Sequence, residues 1–223
     1  GAEIDFYVEG QPLTLTTTCG IFLPAGVSHG PLIWKNVTKP HIEMAIMLGA
    51  GSAEEGWARS GISQPKEGLP EKTDDLDYEK YLARKPLYEA GPGVTGRQSP
   101  TMTLMSRAQV PEANYYIELG WIYDMPEPNP HIHEHVHKFD EIVLHWGGDY
   151  RNPEDLGGEI EFYVGDQPLT FSTTTGLWAP KGLKHGPLTW KKFTRPHMEM
   201  AFMLNCGSVE EGWADSGISG PKK

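Results

Sequence analysis

An all-β fold is the class this 223-residue sequence predicts, and three observations predict it. Glycine and proline are plentiful, with 26 and 19 copies. Aromatic and β-branched residues recur in short runs between them, and a long block of the chain occurs twice. Short apolar runs punctuated by turn formers make strands joined by tight turns, not a helical bundle.

The repeat comes first along the chain. Residues 1–63 align without a gap on residues 157–219, and about 40 of the 63 pairs are identical. His29 thus matches His185, His41 matches His197 and Trp57 matches Trp213. The second copy has a long lead-in and the first has none, so either the strands completing a first barrel precede Gly1, which is the expectation, or the protein is natively one and a half repeats. An open half-barrel would leave bare strand edges and is a poor folding unit. The expected organisation is a partial repeat over 1–63, a polar linker over 64–98 and a complete barrel over 99–223. The boundary is placed near residues 64–75. Within the linker, Asp77 is set to cap a short helix through about Arg84, which Pro86 ends.

From Thr101 onward the sequence reads as successive strands: MTLMSRAQV, NYYIELGWIYD, HIHEHVHKF, EIVLHWG, EIEFYV, PLTFSTT, GLWAP, PLTWKKF and HMEMAFML. Their short regular spacing is that of a barrel or sandwich. In the last of them Met198, Met200 and Phe202 fall on one face. Ser208 and Glu211 have the spacing of a capping box that starts a short helix, and Trp213 is expected to dock back on the barrel. Ser52 and Glu55 repeat the device.

The densest chemistry is His131-Ile-His-Glu-His-Val-His137, followed by Glu141. On a strand, residues two apart share a face, so four imidazoles would line one side. Packing explains that poorly. Imidazole is a common metal ligand through one ring nitrogen, the other bonding an outer acceptor, and Glu141 is near enough to reach the same ion.

These residues carry a family resemblance. His135-x-His137-x3-Glu141 with Gly148 beyond is similar to the first motif of the cupin superfamily, and Pro180-x-Gly182-x2-His185 to the core of its second. Pro24-x-Gly26-x2-His29 repeats that core. Asn129, Thr174 and Thr189 stand where the motifs usually carry glycine, glycine and asparagine. The resemblance implies a cupin-type double-stranded β-helix (a jelly-roll barrel), duplicated with the first copy partial. It further implies one divalent metal ion per complete barrel, held by His135, His137, Glu141 and His185. Three nitrogens and a carboxylate suit Fe, Mn, Ni, Co or Zn, with open positions for water or substrate. A homodimer is also expected by resemblance.

Other residues have weaker claims. His131 and His133 are the catalytic candidates, as a proton shuttle near the metal. Trp190, His197 and Glu199 are the binding candidates, although a solvent-facing edge is the expected setting for His197 and Glu199. Trp121, Trp146, Trp178 and Trp190 are expected mainly in the core, His145 on the surface, and Lys191-Lys192 in a solvated loop.

A net charge of −11 argues against nucleic-acid or membrane partners, which need a basic patch. No apolar run approaches the span of a bilayer, and no basic-then-apolar leader opens the sequence. Cys19 and Cys206 occupy non-equivalent repeat positions, so two free thiols and a cytoplasmic location are expected. The functional expectation is a metal-dependent enzyme of oxygenase, isomerase or lyase type acting on a small organic molecule. The alternative is a non-catalytic ligand-binding or sensing cupin with a structural metal.

Overall fold

The computed structural model describes residues 1–57, 68–72, 74–91 and 93–214. The chain forms two compact units, Gly1–Thr17 with Leu23–Glu79, and Thr18–Phe22 with Lys80–Lys223. The ends of the two repeat copies, 58–63 and 215–219, and residues 64–67 and 73 of the expected boundary lie outside the described residues. No helix among the described residues is long and apolar enough to cross a membrane. Both cysteines are free.

The first unit is built on an antiparallel sheet of β1 (Ala2–Val8), β2 (Gln11–Leu15) and β4 (His29–Val37) in the order β2-β1-β4. Val8 and Leu13 are its fully buried apolar side chains. The helix α1 (Ala53–Trp57) starts as expected, because Ser52 Oγ accepts from the Glu55 amide at 3.1 Å. The expected helix after Asp77 is shorter than the sequence suggests. Asp77 Oδ1 does accept from the Glu79 amide at 3.0 Å, but only a single 3-10 turn follows, Tyr78–Tyr81. The next residues leave it because β5 (Leu82–Ala83) pairs with β3 (Gly20–Ile21) in the second unit.

The second half of the stretch read as linker holds short strands. β6 (Leu87–Ala90) pairs with β8 (Thr101–Met105), and β7 (Thr95–Arg97) pairs with β9 (Tyr115–Glu127). Gly91, Gly93 and Gly96 have positive φ and let the chain double back between these short strands. Composition alone made this stretch look unstructured. β10 (Glu141–Gly147), β11 (Asp155–Val164), β12 (Gln167–Thr173), β13 (Thr175–Ala179), β14 (His185–Phe193) and β15 (His197–Leu204) follow, then α2 (Val209–Trp213). Lys191 and Lys192 therefore sit on a strand, and Lys191 pairs with Glu161 at 2.7 Å.

Two antiparallel sheets result, one ordered β13-β10-β15-β9-β8-β6 and one ordered β12-β11-β14. A single core cluster takes Tyr116, Ile122 and Val143 from the first and Ile160, Phe162, Leu188 and Trp190 from the second. The core therefore lies between facing sheets, as in a jelly roll. Met198, Met200 and Phe202 gather in a separate cluster with Leu119, as the alternation predicts. The Ser208 cap is present, its Oγ accepting from the Glu211 amide at 3.3 Å, and Trp213 is buried. Of the four tryptophans expected in the core, only Trp190 is fully buried. Trp121 and Trp178 are 37% and 62% exposed, and Trp146 is half-buried. On a strand only one face meets the core, and these two fall on the other.

Trp190 fills the space between the sheets, so truncation there leaves a large cavity. Trp190→Ala is expected to cost about 3–5 kcal/mol of unfolding free energy, read from urea titration.

Candidate metal centre

The sequence predicts a strand over His131–His137, and the structure does not form one. Pro128 and Pro130 lack the amide donors a ladder needs, and the segment holds only isolated bridges, Ile132 to Leu188 and His135 to His185. The second bridge is a reciprocal pair: the His135 amide donates to the His185 carbonyl at 2.9 Å and the reverse bond is 3.1 Å. It sets the two imidazoles side by side, with ring centroids 4.3 Å apart. The close approach requires Gly186, whose φ is +82° and whose Cβ, if present, would lie 2.5 Å from the His133 carbonyl oxygen. Asn129 anchors the segment's start. Its side-chain amide donates to the Trp190 carbonyl at 2.8 Å, and its oxygen accepts from the Trp190 amide at 3.0 Å.

His137 follows, its carbonyl accepting from the Gly182 amide at 2.9 Å. Glu141 opens β10 between Ala179 and Met203. The outcome is that one ligand atom from each of His135, His137, Glu141 and His185 lies within 4.8 Å of all the others, and all four residues are buried. These are the four residues singled out in the sequence.

The donor set fits a divalent cation. His135 Nδ1 faces the His133 carbonyl at 2.8 Å and His185 Nδ1 faces that of Leu183 at 3.0 Å. A carbonyl only accepts, so Nδ1 carries the proton in both rings and Nε2 presents a lone pair. The Nε2 atoms of His137 and His185 are buried without a hydrogen bond, although they lie 3.5 and 2.9 Å from Glu141 Oε2. Burial opposes ionisation of Glu141, but the His137 and His185 rings outweigh it and hold its carboxyl at about 2. Burial pushes His135 down to about 4. A carboxylate and neutral imidazoles are the protonation states that metals bind.

The remaining candidates divide. His131 is buried, but His133 is exposed and does not share its face. His145, expected on the surface, is 2% exposed and packs against Phe171 and Trp190. It follows Glu141 and Val143 at spacing two, so all three point into the barrel. His197 and Glu199 are also buried, contrary to the expected solvent-facing edge. β15 lies between β10 and β9 within the sheet, so neither of its edges is free. Trp190 Nε1 donates to His197 Nε2 at 2.9 Å, and His197 Nδ1 bonds the Arg195 carbonyl at 3.1 Å. Both nitrogens are thereby used, which fixes His197 as a neutral ring that positions Trp190.

Two functional residues escape sequence reasoning. Arg97 lies in the stretch read as linker, and Glu118 in an apolar strand. Both are buried and paired at 3.1 Å, with Arg97 Nε also 3.2 Å from Glu199 Oε2. A signal existed for Glu118: it has the inward parity of Tyr116 and Ile122. Arg97, Glu118 and Glu199 line one cavity with His135, Glu141 and His185.

The His133 side chain contributes nothing to the ligand geometry, because its carbonyl does the work. His133→Ala should leave stability within about 0.5 kcal/mol of the parent by urea titration. Burial pushes His145 down to about 4 from 6.5, beside Glu199, His197 and His131. Between these values the unfolded chain binds the proton and the folded one does not, so stability falls as the pH is lowered. At pH 5 this amounts to about 2 kcal/mol. Chemical denaturation at pH 7 and pH 5 should show that His145→Gln loses less stability than the parent by that amount.

No family model matches the sequence, and neither does any curated protein. Among solved structures, the chain is similar to an Fe(II) form of HppE, with 14% identity and a TM-score of 0.33 over 47% of this chain and 48% of that one. It thus spans about half the length of HppE. A predicted oxalate decarboxylase from Thermotoga maritima is 12% identical, with a TM-score of 0.36 over 54% of this chain and 91% of that one. A cupin superfamily protein from Desulfitobacterium hafniense is 15% identical, with a TM-score of 0.33 over 49% and 78%. The second unit holds its core between facing antiparallel sheets with both sequence motifs at one cavity, the arrangement of a jelly-roll barrel.

Proposed function

We propose that the second unit binds one divalent metal ion through His135, His137, Glu141 and His185 and is a metal-dependent enzyme acting on a small organic molecule. The carrying observation is that three of the four proposed ligands face a cavity whose other wall is charged. A structural metal would be closed in by protein on all sides. Here Glu118, Glu199 and Arg97 line the same space as three of the ligands. A bound divalent ion supplies Lewis-acid or dioxygen-binding chemistry, which suits an oxygenase, isomerase or lyase. The chain's own contribution is to engage Nδ1 of His135 and His185 on backbone carbonyls, which leaves Nε2 to the ion, and to keep Glu141 ionised. It also shields the reacting group with Ile132, Val143, Phe162 and Leu188. Of the two catalytic candidates, His131 is favoured over His133, since it alone is buried beside Glu199.

Elemental analysis of the purified protein should find about one equivalent of a divalent metal per chain, and His135→Ala and Glu141→Gln should each lower it roughly tenfold or more. With free metal a hundredfold above Kd the ion stabilises by about 2.7 kcal/mol. Chelation should then lower Tm by roughly 5–10 °C. A metal-free parent whose Tm ignores chelator would sink the reading. Metal and ligand binding without turnover would identify a sensing module instead.

A further inference from the structure

The cavity has a second charged end that metal binding does not use. Arg97 there is hemmed in by carboxylates, although its Nε and Nη1 make no hydrogen bond. Its Nη2 and Nε face Glu118 Oε1 and Glu199 Oε2 at 3.1 and 3.2 Å. Its Nη1 occupies the position that Gly91 leaves open, 2.4 Å from where a Cβ would stand. Glu118 accepts three hydrogen bonds. Oε1 accepts from Thr101 at 2.6 Å and from Arg97, while Oε2 accepts from the Trp213 indole at 2.7 Å.

Glu199 is different. Its Oε2 is buried without a hydrogen bond, and the His131 ring beside it, Nε2 at 3.5 Å, also has neither nitrogen bonded. The surrounding groups do not fill the gap. His145, opposite Glu199 across the strand pair, has no hydrogen bond on either ring nitrogen, and His197 is committed to Trp190 and the Arg195 carbonyl. Counting formal charges, two carboxylates face one guanidinium, so this end carries one excess negative charge. A buried carboxylate with spare acceptor capacity is matched best by a charged donor. The opposite end has the reverse sign. A divalent ion with one carboxylate and neutral imidazoles keeps one net positive charge, which attracts an anion.

We propose that Glu199 receives the protonated amino group of a small zwitterionic ligand whose carboxylate faces the four metal-ligating residues. The proposal rests on the metal reading above. It narrows the ligand class to amino carboxylates, and it assigns Arg97 and Glu118 to positioning Glu199.

The test is calorimetric titration of the metal-loaded protein with glycine, β-alanine, γ-aminobutyrate and δ-aminovalerate. Acetate, propionate, butyrate and valerate are the matched compounds without the amino group. At least one amino carboxylate should bind roughly tenfold or more tightly than its plain counterpart. Glu199→Gln should abolish that preference while plain carboxylate binding and metal content stay as in the parent. The inference is overturned if no amino compound exceeds its counterpart. It is equally overturned if Glu199→Gln keeps the preference. The comparison within the parent protein stands even if that variant does not fold. Metal content measured on the same samples separates the two readings. Metal uptake with carboxylates bound but no gain from the amino group sinks only this inference, whereas a protein that takes up no metal sinks both.

Discussion

The candidate centre depends on one reciprocal backbone pair, the two hydrogen bonds between His135 and His185. The segment carrying His135 and His137 has no ladder of its own to hold it, because prolines at 128 and 130 remove the donors that a continuous strand would use. It is fixed instead at three points along β14: Asn129 on Trp190, Ile132 on Leu188 and His135 on His185. Register does the rest. Because β14 runs antiparallel to the segment, the three anchors on it step down from 190 to 188 to 185 as the segment steps up from 129. The histidine of the second motif is thereby delivered opposite the first histidine of the first. The substitution of asparagine for the usual opening glycine is not a loss here, since its side chain supplies the hydrogen bonds that a backbone would.

The same cavity shows how a barrel can tolerate buried charge. An isolated carboxylate in a core is unfavourable by several kcal/mol, and this one holds three, Glu118, Glu141 and Glu199. Each is compensated differently. Glu118 is surrounded by Arg97, Thr101 and Trp213. Glu141 leans on two imidazoles that would share a cation with it. Glu199 has a guanidinium and an imidazole nearby, neither in hydrogen-bonding geometry to Oε2. Room for the guanidinium comes from glycines. A Cβ on Gly91 would collide with Arg97 Nη1, and Gly120 lies across from Glu199 with a Cβ position 3.7 Å from Arg97 Nε.

Much of this was legible in the sequence, and the illegible part has a physical reason. The clustering of His135, His137, Glu141 and His185 and most strands could be read because their signals are local: alternation, turn formers and two short motifs. The charged wall was hidden because its members come from three strands, β7, β9 and β15, and nothing local distinguishes a buried charge from a solvated one. His145 and Glu199 were assigned to solvent on that ground. Parity could have corrected both, since His145 shares the face of Glu141, and Glu199 the face of Met203. Arg97 had no such signal, because its strand has three residues and sits amid glycines.

The repeat makes the same point. β1, β2 and β4 pair in the register of β11, β12 and β14, with Ile4 on Leu15 and Trp34 as Ile160 is on Phe171 and Trp190. His29 bonds the Val27 carbonyl and His41 that of Lys39, as His185 and His197 bond theirs. Yet Trp34 is 42% exposed where Trp190 is 1% exposed, and both first-copy histidines face solvent. Local sequence therefore sets ring orientation and tautomer in both copies. Burial, the carboxylate of Glu141 and the Arg97 and Glu118 part of the charged wall come from β7, β9 and β10, which have no counterparts in the first unit's described residues, while Glu43, the match of Glu199, is exposed. A histidine with its Nδ1 proton fixed by a carbonyl is prepared for a ligand, but only enclosure by those strands turns it into part of a site.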